Sequence, residues 1–242
     1  MAAFHLEIAG AVAAVTSLFE STPHHFSAYL TEKCADFSIT VTEEDLRFEQ
    51  FDADEEAREE GFRLRKFPDP FLERAAIQRK FAEFLLERDT VLLHGSAVAV
   101  DGRGYLFTAR SGTGKSTHTR LWQAAFGQRA MMVNDDKPFA TLSDTGILLW
   151  GSPWSGKHGL DSNIFVPLQG ICLLERGSEN QIQPADAAQL LPLLSGFRPR
   201  NAEQETRYRQ LLEKLTAQAP LWHMTCNKEP DAATVAYNAM SK

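Results

Sequence analysis

The stretch that decides the fold of this chain is Gly104-Tyr-Leu-Phe-Thr-Ala-Arg-Ser-Gly-Thr-Gly-Lys-Ser-Thr117. It begins as a short apolar run, which is typical of a buried strand, and then becomes glycine-rich. A helical pattern follows, and Gly127 is placed to end that helix. Because the amides at a helix N-terminus are unpaired and partly positive, this order of elements predicts a phosphate-binding loop.

The loop offers a set of predicted nucleotide-binding residues: Ser111, Gly112, Thr113, Gly114, Lys115, Ser116 and Thr117. Lys115 is expected to reach the β and γ phosphates, and the Ser116 hydroxyl is expected to bind Mg²⁺. The usual motif has one more glycine at its start, where this chain has Ala109. If that position requires a positive φ, alanine costs on the order of 1 kcal/mol there.

Two further motifs flank the loop. Val91 to Val100 is an almost continuous apolar run that contains His94, and Asp101-Gly102 predicts a tight hairpin turn into the next strand. Ala130 to Val133 predicts another buried strand, which ends at Asn134-Asp135-Asp136. Adjacent carboxylates beside a phosphate loop need a neutralising partner, so we expect one to order a metal ion and the other to accept a proton.

The remaining sequence predicts two regions. Residues 1–66 are predicted to form a small β-rich region, with strands at Phe4–Ile8, Phe37–Val41 and Leu46–Phe51. The acidic run Asp52–Glu60 is interpreted as a solvated loop or helix face. Residues 67–242 are predicted to form the nucleotide-binding catalytic domain, which opens with a helix ending at Leu86.

Composition narrows the classes of function. The chain has 242 residues, and 25 Lys and Arg against 32 Asp and Glu give a net charge of −7, which argues against a nucleic-acid partner. The three cysteines are far apart, which favours a reducing compartment. No segment approaches the roughly 18 apolar residues of a membrane span, so we expect a cytoplasmic protein without a membrane partner.

The motifs Leu93-His-Gly-Ser-Ala97, Ser111–Thr117 and Val133-Asn-Asp-Asp136, in this order, resemble the nucleotide site shared by HPr kinase/phosphorylase and phosphoenolpyruvate carboxykinase. The resemblance covers residues 91 to 175 and is nearest to small HPr-kinase-like proteins, some of which phosphorylate free amino acids or peptides. It implies an α/β P-loop kinase with a mixed sheet flanked by helices, with ATP and Mg²⁺ as cofactors.

The resemblance also implies roles for individual residues. Asp135 is assigned as the catalytic base and Asp136 as a metal ligand, together with Ser116. His94 matches a metal ligand of the carboxykinases and a residue near the phosphate in the kinases. Lys157 lies in the turn-rich stretch Gly151–Gly159 and is a candidate for stabilising the transferring phosphate, the alternative being an ordinary surface loop.

The function predicted from the sequence is transfer of the γ-phosphate to a hydroxyl of a small molecule, an amino acid or a peptide. Two other classes stay open: a nucleotide-binding regulatory or peptide-binding module without turnover, and a nucleotide-dependent carboxy-lyase. GTP or pyrophosphate could replace ATP as the donor. The identity of the acceptor and the oligomeric state, including a homo-oligomer, are not encoded in these motifs.

Overall fold

The computed structural model describes residues 1–59, 61–156 and 158–242. The chain divides into two compact units, Met1–Phe84 and Leu85–Lys242. The boundary predicted after residue 66 lies upstream of this division, just before a helix whose residues belong mainly to the first unit.

The first unit combines a small sheet with helices. Strands β1 (Ala2–Ile8) and β2 (Ala11–Ser17) form an antiparallel hairpin, and β3 (Phe37–Thr40) pairs with β2 in parallel. The hairpin turn uses positive φ angles at Ala9 and Gly10. The helices described in this unit are α1 (Thr22–His25), α2 (Glu43–Glu59) and α3 (Asp69–Leu86), with a 3-10 turn at Ser27–Tyr29.

The predicted strand Leu46–Phe51 is wrong, because these residues lie inside α2. A reciprocal pair of bonds starts this helix: the Thr42 N–H donates to the Asp45 carboxylate at 2.9 Å, and the Asp45 N–H donates to the Thr42 hydroxyl at 3.3 Å. This capping box stabilises helical geometry at the start of the segment, and the period-two pattern of Leu46–Phe51 does not form a strand. The acidic run from Asp52 to Glu59 is also helical.

The second unit is built on a mixed sheet flanked by helices. Its strands are β4 (Thr90–Leu92), β5 (Ser96–Val100), β6 (Arg103–Thr108), β7 (Ala130–Asn134), β8 (Phe139–Ser143), β9 (Gly146–Trp150), β10 (Phe165–Arg176), β11 (Gln181–Pro184) and β12 (Leu221–Cys226). Among the described residues the order is β4-β8-β9-β10-β6-β5-β7, with β12 along the end of β10 and β11 beside β12. Its further helices are α4 (Lys115–Phe126), α5 (Ala187–Leu194), α6 (Ala202–Gln218) and α7 (Asp231–Met240).

None of the helices in the described part of the chain is both long and apolar enough to cross a bilayer.

Strand directions bring the sequence motifs to one end of this sheet. Strand β5 runs antiparallel to both β6 and β7, whereas β10 runs parallel to β6 and to β12. The start of β5 therefore lies beside the ends of β6 and β7, with the ends of β10 and β12 at the same edge. The predicted single strand from Val91 to Val100 is interrupted at His94-Gly95, which places His94 at this edge rather than within a strand.

Successive side chains of β6 point alternately to two buried faces of the sheet in the second unit. Tyr105 and Phe107 pack against the fully buried Trp122 of α4, with ring centroids 4.7 and 5.3 Å apart. Thr108 points to the opposite face, where its hydroxyl donates to the Leu193 carbonyl of α5 at 2.8 Å. Two-sided burial of β6 holds its last residue, and hence the start of the following loop, in place.

Candidate functional site

The loop between β6 and α4 has a backbone conformation that favours glycine at two positions. Gly112 and Gly114 have φ angles of +75° and +125°, and no atom lies within 4 Å of the position that a Cβ at Gly112 would take. Ala109 is buried and its φ is not positive, so the expected cost of alanine at that position does not arise. Helix α4 begins at Lys115, so its first amides are unpaired within the helix and face the loop end.

Arg176 at the end of β10 fixes the outer side of this loop. Its Nε donates to the Thr113 carbonyl at 3.2 Å, and one of its terminal nitrogens donates to the Gly112 carbonyl. Nothing in the local sequence around Arg176 indicates this role, because the contact joins residues more than sixty positions apart.

Lys115 and Ser116, the first two residues of α4, lie at the sheet edge where β5 begins and β6 ends. The Lys115 ammonium donates to the Ala109 carbonyl at 3.1 Å, so its side chain lies across the loop. Ser116 is half-buried in the first turn. The helix is joined to β5 by the hydroxyls of Ser96 and Thr119, which are 2.9 Å apart and buried.

Asn134 organises the turn that carries the two carboxylates. Its Oδ1 accepts the N–H groups of Asp136 at 2.8 Å and Lys137 at 2.6 Å, and its Nδ2 donates to the Ser152 carbonyl at 2.8 Å. This is an Asx turn anchored to the next loop, and Asn134 is fully buried. The sequence predicted the end of a buried strand here, but the anchor to Ser152 depends on the tertiary fold.

Asp135 is buried, with 2% of its surface exposed. Its Oδ1 accepts the Gly156 N–H at 2.6 Å, whereas Oδ2 has no hydrogen-bond partner among the residues that the structure describes. Burial raises the pKa of this carboxyl; the Gly156 bond opposes the rise and the neighbouring Asp136 charge adds to it. A buried carboxylate with one unused oxygen and a raised pKa is suited to accepting a proton.

Asp136 and His94 lie next to each other at the rim. His94 Nε2 is 3.7 Å from Asp136 Oδ1, and the Gly95 N–H donates to the Asp136 carbonyl at 2.9 Å. Burial lowers the pKa of His94 to about 3, and the charges of Lys115 and Lys137 contribute to the same shift. His94 is therefore a neutral imidazole at neutral pH, which is the form that can bind a metal.

The structure thus brings most of the predicted site residues together. His94, Lys115, Asp135 and Asp136 meet where β5 begins and β6 and β7 end. Lys157 lies outside the described residues, and its role stays a prediction. The sequence did not single out Lys137, whose ammonium donates to the Gly196 carbonyl at 3.3 Å and whose charge acts on His94.

The residues at this edge fit a magnesium ion that shares its coordination with phosphate. Among the described residues no three His, Cys, Asp or Glu side chains cluster as an all-protein metal site. Mg²⁺ in phosphate-binding sites, however, usually takes one or two carboxylates together with phosphate and water oxygens. The partly exposed Asp136 carboxylate and the half-buried Ser116 hydroxyl are oxygen donors of that kind.

Comparisons with known proteins give little further information. No protein-family profile matches the chain, and no curated protein matches its sequence. Among solved structures, the chain is similar to the Hpr(Ser) kinase/phosphatase from Coxiella burnetii, with 11% sequence identity and a TM-score of 0.34. That match covers 61% of this chain and 95% of the other. A likeness of this size decides neither the family nor the activity, so both stay predictions from the motifs.

Proposed function

We propose that this chain is an ATP- and Mg²⁺-dependent phosphotransferase that moves the γ-phosphate to a hydroxyl of a small molecule, an amino acid or a peptide. The proposal depends on one observation: a glycine loop at a helix N-terminus lies at the same sheet edge as a buried carboxylate, Asp135, one of whose oxygens has no partner among the described residues. Phosphoryl transfer requires a protein to position reactants and to stabilise charge, rather than to form covalent bonds.

The loop is proposed to bind the triphosphate. The amides at the start of α4 provide hydrogen-bond donors, and the helix N-terminus provides partial positive charge. Lys115, now 3.1 Å from the Ala109 carbonyl, would turn from this acceptor to the β and γ phosphates. Lys157 is retained in the proposal as a second positive charge for the transferring group.

Ser116 and Asp136 are proposed to hold Mg²⁺, with His94 beside them. When bound, Mg²⁺ neutralises charge on the phosphate oxygens and orients them for in-line transfer. His94 adds no positive charge at neutral pH because of its low pKa, so the charges beside it are those of Asp136, Lys115 and Lys137.

Asp135 is proposed as the base. Its Oδ2 takes the proton of the acceptor hydroxyl, the acceptor oxygen forms a bond to the γ-phosphorus, and the bond from that phosphorus to the β–γ bridging oxygen breaks, which releases ADP. The Gly156 N–H donates to Oδ1, so the carboxylate keeps one orientation while Oδ2 accepts the proton. Its raised pKa brings it closer to the operating pH, which improves a general base.

The test is transfer of label from γ-labelled ATP. Purified protein is incubated with Mg²⁺ and labelled ATP and, separately, with pools of hydroxyl-bearing metabolites, amino acids and peptides, and we expect one pool to gain label. Lys115→Ala should weaken ATP binding by about ten- to a hundredfold, since hydrogen bonds to charged groups contribute about 1.5–3 kcal/mol. Lys214→Ala, at an exposed lysine of α6, is the matched control and should bind ATP normally.

Two results would contradict the proposal. Tight ATP binding without label in any pool would favour the regulatory module, in which the nucleotide acts as a conformational ligand. Nucleotide-dependent release of CO₂ from oxaloacetate would instead establish a carboxy-lyase.

A further inference from the structure

The connection between α2 and α3 contains an exposed segment of the first unit, Phe62–Lys66. Helix α2 ends at Glu59, and the chain leaves it at Gly61, which has a φ of +73°. The Phe62 N–H donates to the Ala57 carbonyl at 2.7 Å, which caps the end of the helix. Every residue from Phe62 to Lys66 is exposed and lies outside any helix, turn or bend. The segment is therefore extended and open to solvent.

Gln50 of α2 fixes the direction of the backbone in this segment. Its Nε2 donates to the Arg65 carbonyl at 2.9 Å, and its Oε1 accepts the Phe67 N–H at 2.9 Å. In a parallel sheet, a residue of one strand bonds in the same way to the carbonyl before and the N–H after the residue beside it. The Gln50 side chain therefore takes the place of a neighbouring strand along the inner edge of the segment.

The outer edge of the segment is unpaired. Successive residues of an extended chain direct their N–H and C=O groups to opposite sides, so those of Leu64 and Lys66 point away from Gln50. Within the described part of the chain, neither Leu64 nor Lys66 uses these groups in a hydrogen bond. An unpaired strand edge is a template on which another strand can pair.

Large apolar side chains are exposed at and around the segment. Phe51 of α2, Phe62, Leu64 and Phe71 of α3 have 61%, 58%, 46% and 44% of their surfaces exposed. Single exposed apolar residues are ordinary, but four within a stretch of this length indicate an interaction surface.

Basic residues alternate with the apolar ones along the segment. Arg63 and Arg65 are exposed and follow Phe62 and Leu64 in turn. Since successive side chains of a strand point to opposite faces, the apolar pair lies on one face and the basic pair on the other. The strand that complements both faces has apolar residues alternating with acidic ones.

Two other partners match these features less well. A second copy paired antiparallel about Leu64 would set Arg63 opposite Arg65, and like charges directly opposite each other destabilise a strand pair. An anionic membrane would also meet the acidic second half of α2, Asp52–Glu59, which it repels. A peptide strand on the outer edge lies on the far side of the segment from α2.

We propose that Phe62–Lys66 is a docking strand that pairs, through the outer edge of Leu64 and Lys66, with an extended segment of a partner protein in which apolar and acidic residues alternate. Backbone hydrogen bonds supply affinity, and the alternating side chains supply sequence preference. Because Gln50 already holds the docking strand extended, less conformational entropy is lost on pairing. The docking strand does not depend on the proposed phosphotransfer, since all its residues belong to the first unit.

Wild-type protein provides the first test, by fluorescence anisotropy with two labelled heptapeptides. One alternates valine with glutamate, and the other alternates valine with lysine. The glutamate peptide should bind about tenfold more tightly than the lysine peptide, since opposite charges across a strand pair are favourable. Equal affinities, or no binding of the glutamate peptide, would overturn the docking strand. Binding to phosphatidylserine vesicles or self-association in sedimentation would then identify a membrane or a second copy as the partner.

Leu64→Pro provides the second test, because proline removes the N–H at the centre of the outer edge. No hydrogen bond within the described residues depends on that N–H, so the first unit should still fold. The glutamate peptide should bind roughly tenfold more weakly to this variant. Leu64→Val keeps the N–H and should bind as wild type does. Unchanged affinity in Leu64→Pro would overturn strand pairing.

A charge exchange provides the third test. In a protein with both Arg63→Glu and Arg65→Glu, the lysine peptide should bind more tightly than the glutamate peptide. Arg209→Glu with Lys214→Glu makes the same change in net charge at exposed positions of α6 and should keep the wild-type preference. A glutamate preference that persists in the first variant would overturn the proposal. None of these measurements uses ATP, so their failure would leave the proposed function unaffected.

Discussion

Two buried carboxylates, one in each compact unit, have different surroundings. Glu73 of α3 is fully buried, and its two oxygens accept hydrogen bonds from the Leu18 N–H and the Thr22 hydroxyl. Asp135 is almost equally buried, but among the described residues only one of its oxygens has a donor. Each Glu73 oxygen has a donor within the fold, whereas Asp135 Oδ2 has none among the described residues. Under the proposed function, this Asp135 oxygen is the one that accepts the proton, whereas Glu73 has a structural role.

The largest expected effect is on turnover. Asp135→Asn removes the base but keeps an oxygen for the Gly156 N–H, so we expect turnover to fall on the order of 10³-fold while ATP binding stays near wild type. Rates of label transfer and calorimetric ATP affinities measure the two quantities. Asp144→Asn, in the exposed turn between β8 and β9, is the matched control and should behave as wild type. Near-normal turnover in Asp135→Asn would remove the base assignment.

The next effect is on stability of the first unit. Glu73→Gln leaves one acceptor oxygen for two donors and places an amide N–H₂ against one of them, so we expect the free energy of unfolding to fall by about 2 kcal/mol. Denaturant unfolding measures this change. Glu44→Gln, at an exposed position of α2, should change stability by less than about 0.5 kcal/mol. An equally small effect at Glu73 would contradict the structural role.

Asp135→Asn should change stability in the opposite direction. The folded-state pKa of Asp135 is raised above its ordinary value of 3.8, so the folded protein binds this proton more tightly than the unfolded chain does. The ionised carboxylate therefore lowers the free energy of unfolding once the pH exceeds the folded-state pKa, and this cost disappears as the pH falls toward 3.8. We expect the variant to be more stable than wild type at neutral pH. Denaturant titrations at several pH values test this, and a variant less stable than wild type at neutral pH would contradict it.

The smallest expected effect concerns the pH profile. Because the pKa of His94 is about 3, its ring is neutral from about pH 5 to pH 8, and its titration should not appear in the rate over that range. The rate should instead decline on the acid side as Asp135 becomes protonated. His94→Gln should keep the shape of the profile even if the rate is lower. An inflection near neutral pH that disappears in this variant would show that His94 ionises during the reaction.

Much of the second unit follows from local signals in the sequence. The hairpin at Asp101-Gly102 is confirmed, with φ angles of +50° and +77°, and Gly127 ends α4 as expected. These features depend on residues adjacent in sequence, so turn and capping preferences suffice to predict them. In the first unit the same reasoning missed α2, although Thr42-Glu-Glu-Asp45 carries its capping signal.

The site was predictable in its residue types but not in its contacts. The glycine loop and the Asn-Asp-Asp turn are sequence motifs, and antiparallel pairing of β5 with its neighbours brings them together. The unequal environments of Asp135 and Asp136 depend on the Gly156 N–H, which lies on a distant loop. Arg176 reaches the loop from a strand that is adjacent only in the folded sheet. Such contacts require the tertiary structure, since no local pattern encodes them.

The two hydrogen bonds from Arg176 have a consequence for the kinetics of ligand capture. They restrain the Gly112 and Thr113 carbonyls within the fold, so they reduce the conformational entropy that the loop can lose when a ligand binds. A preorganised loop does not need to close around its ligand before it binds, and association should follow a single exponential limited by diffusion and charge steering.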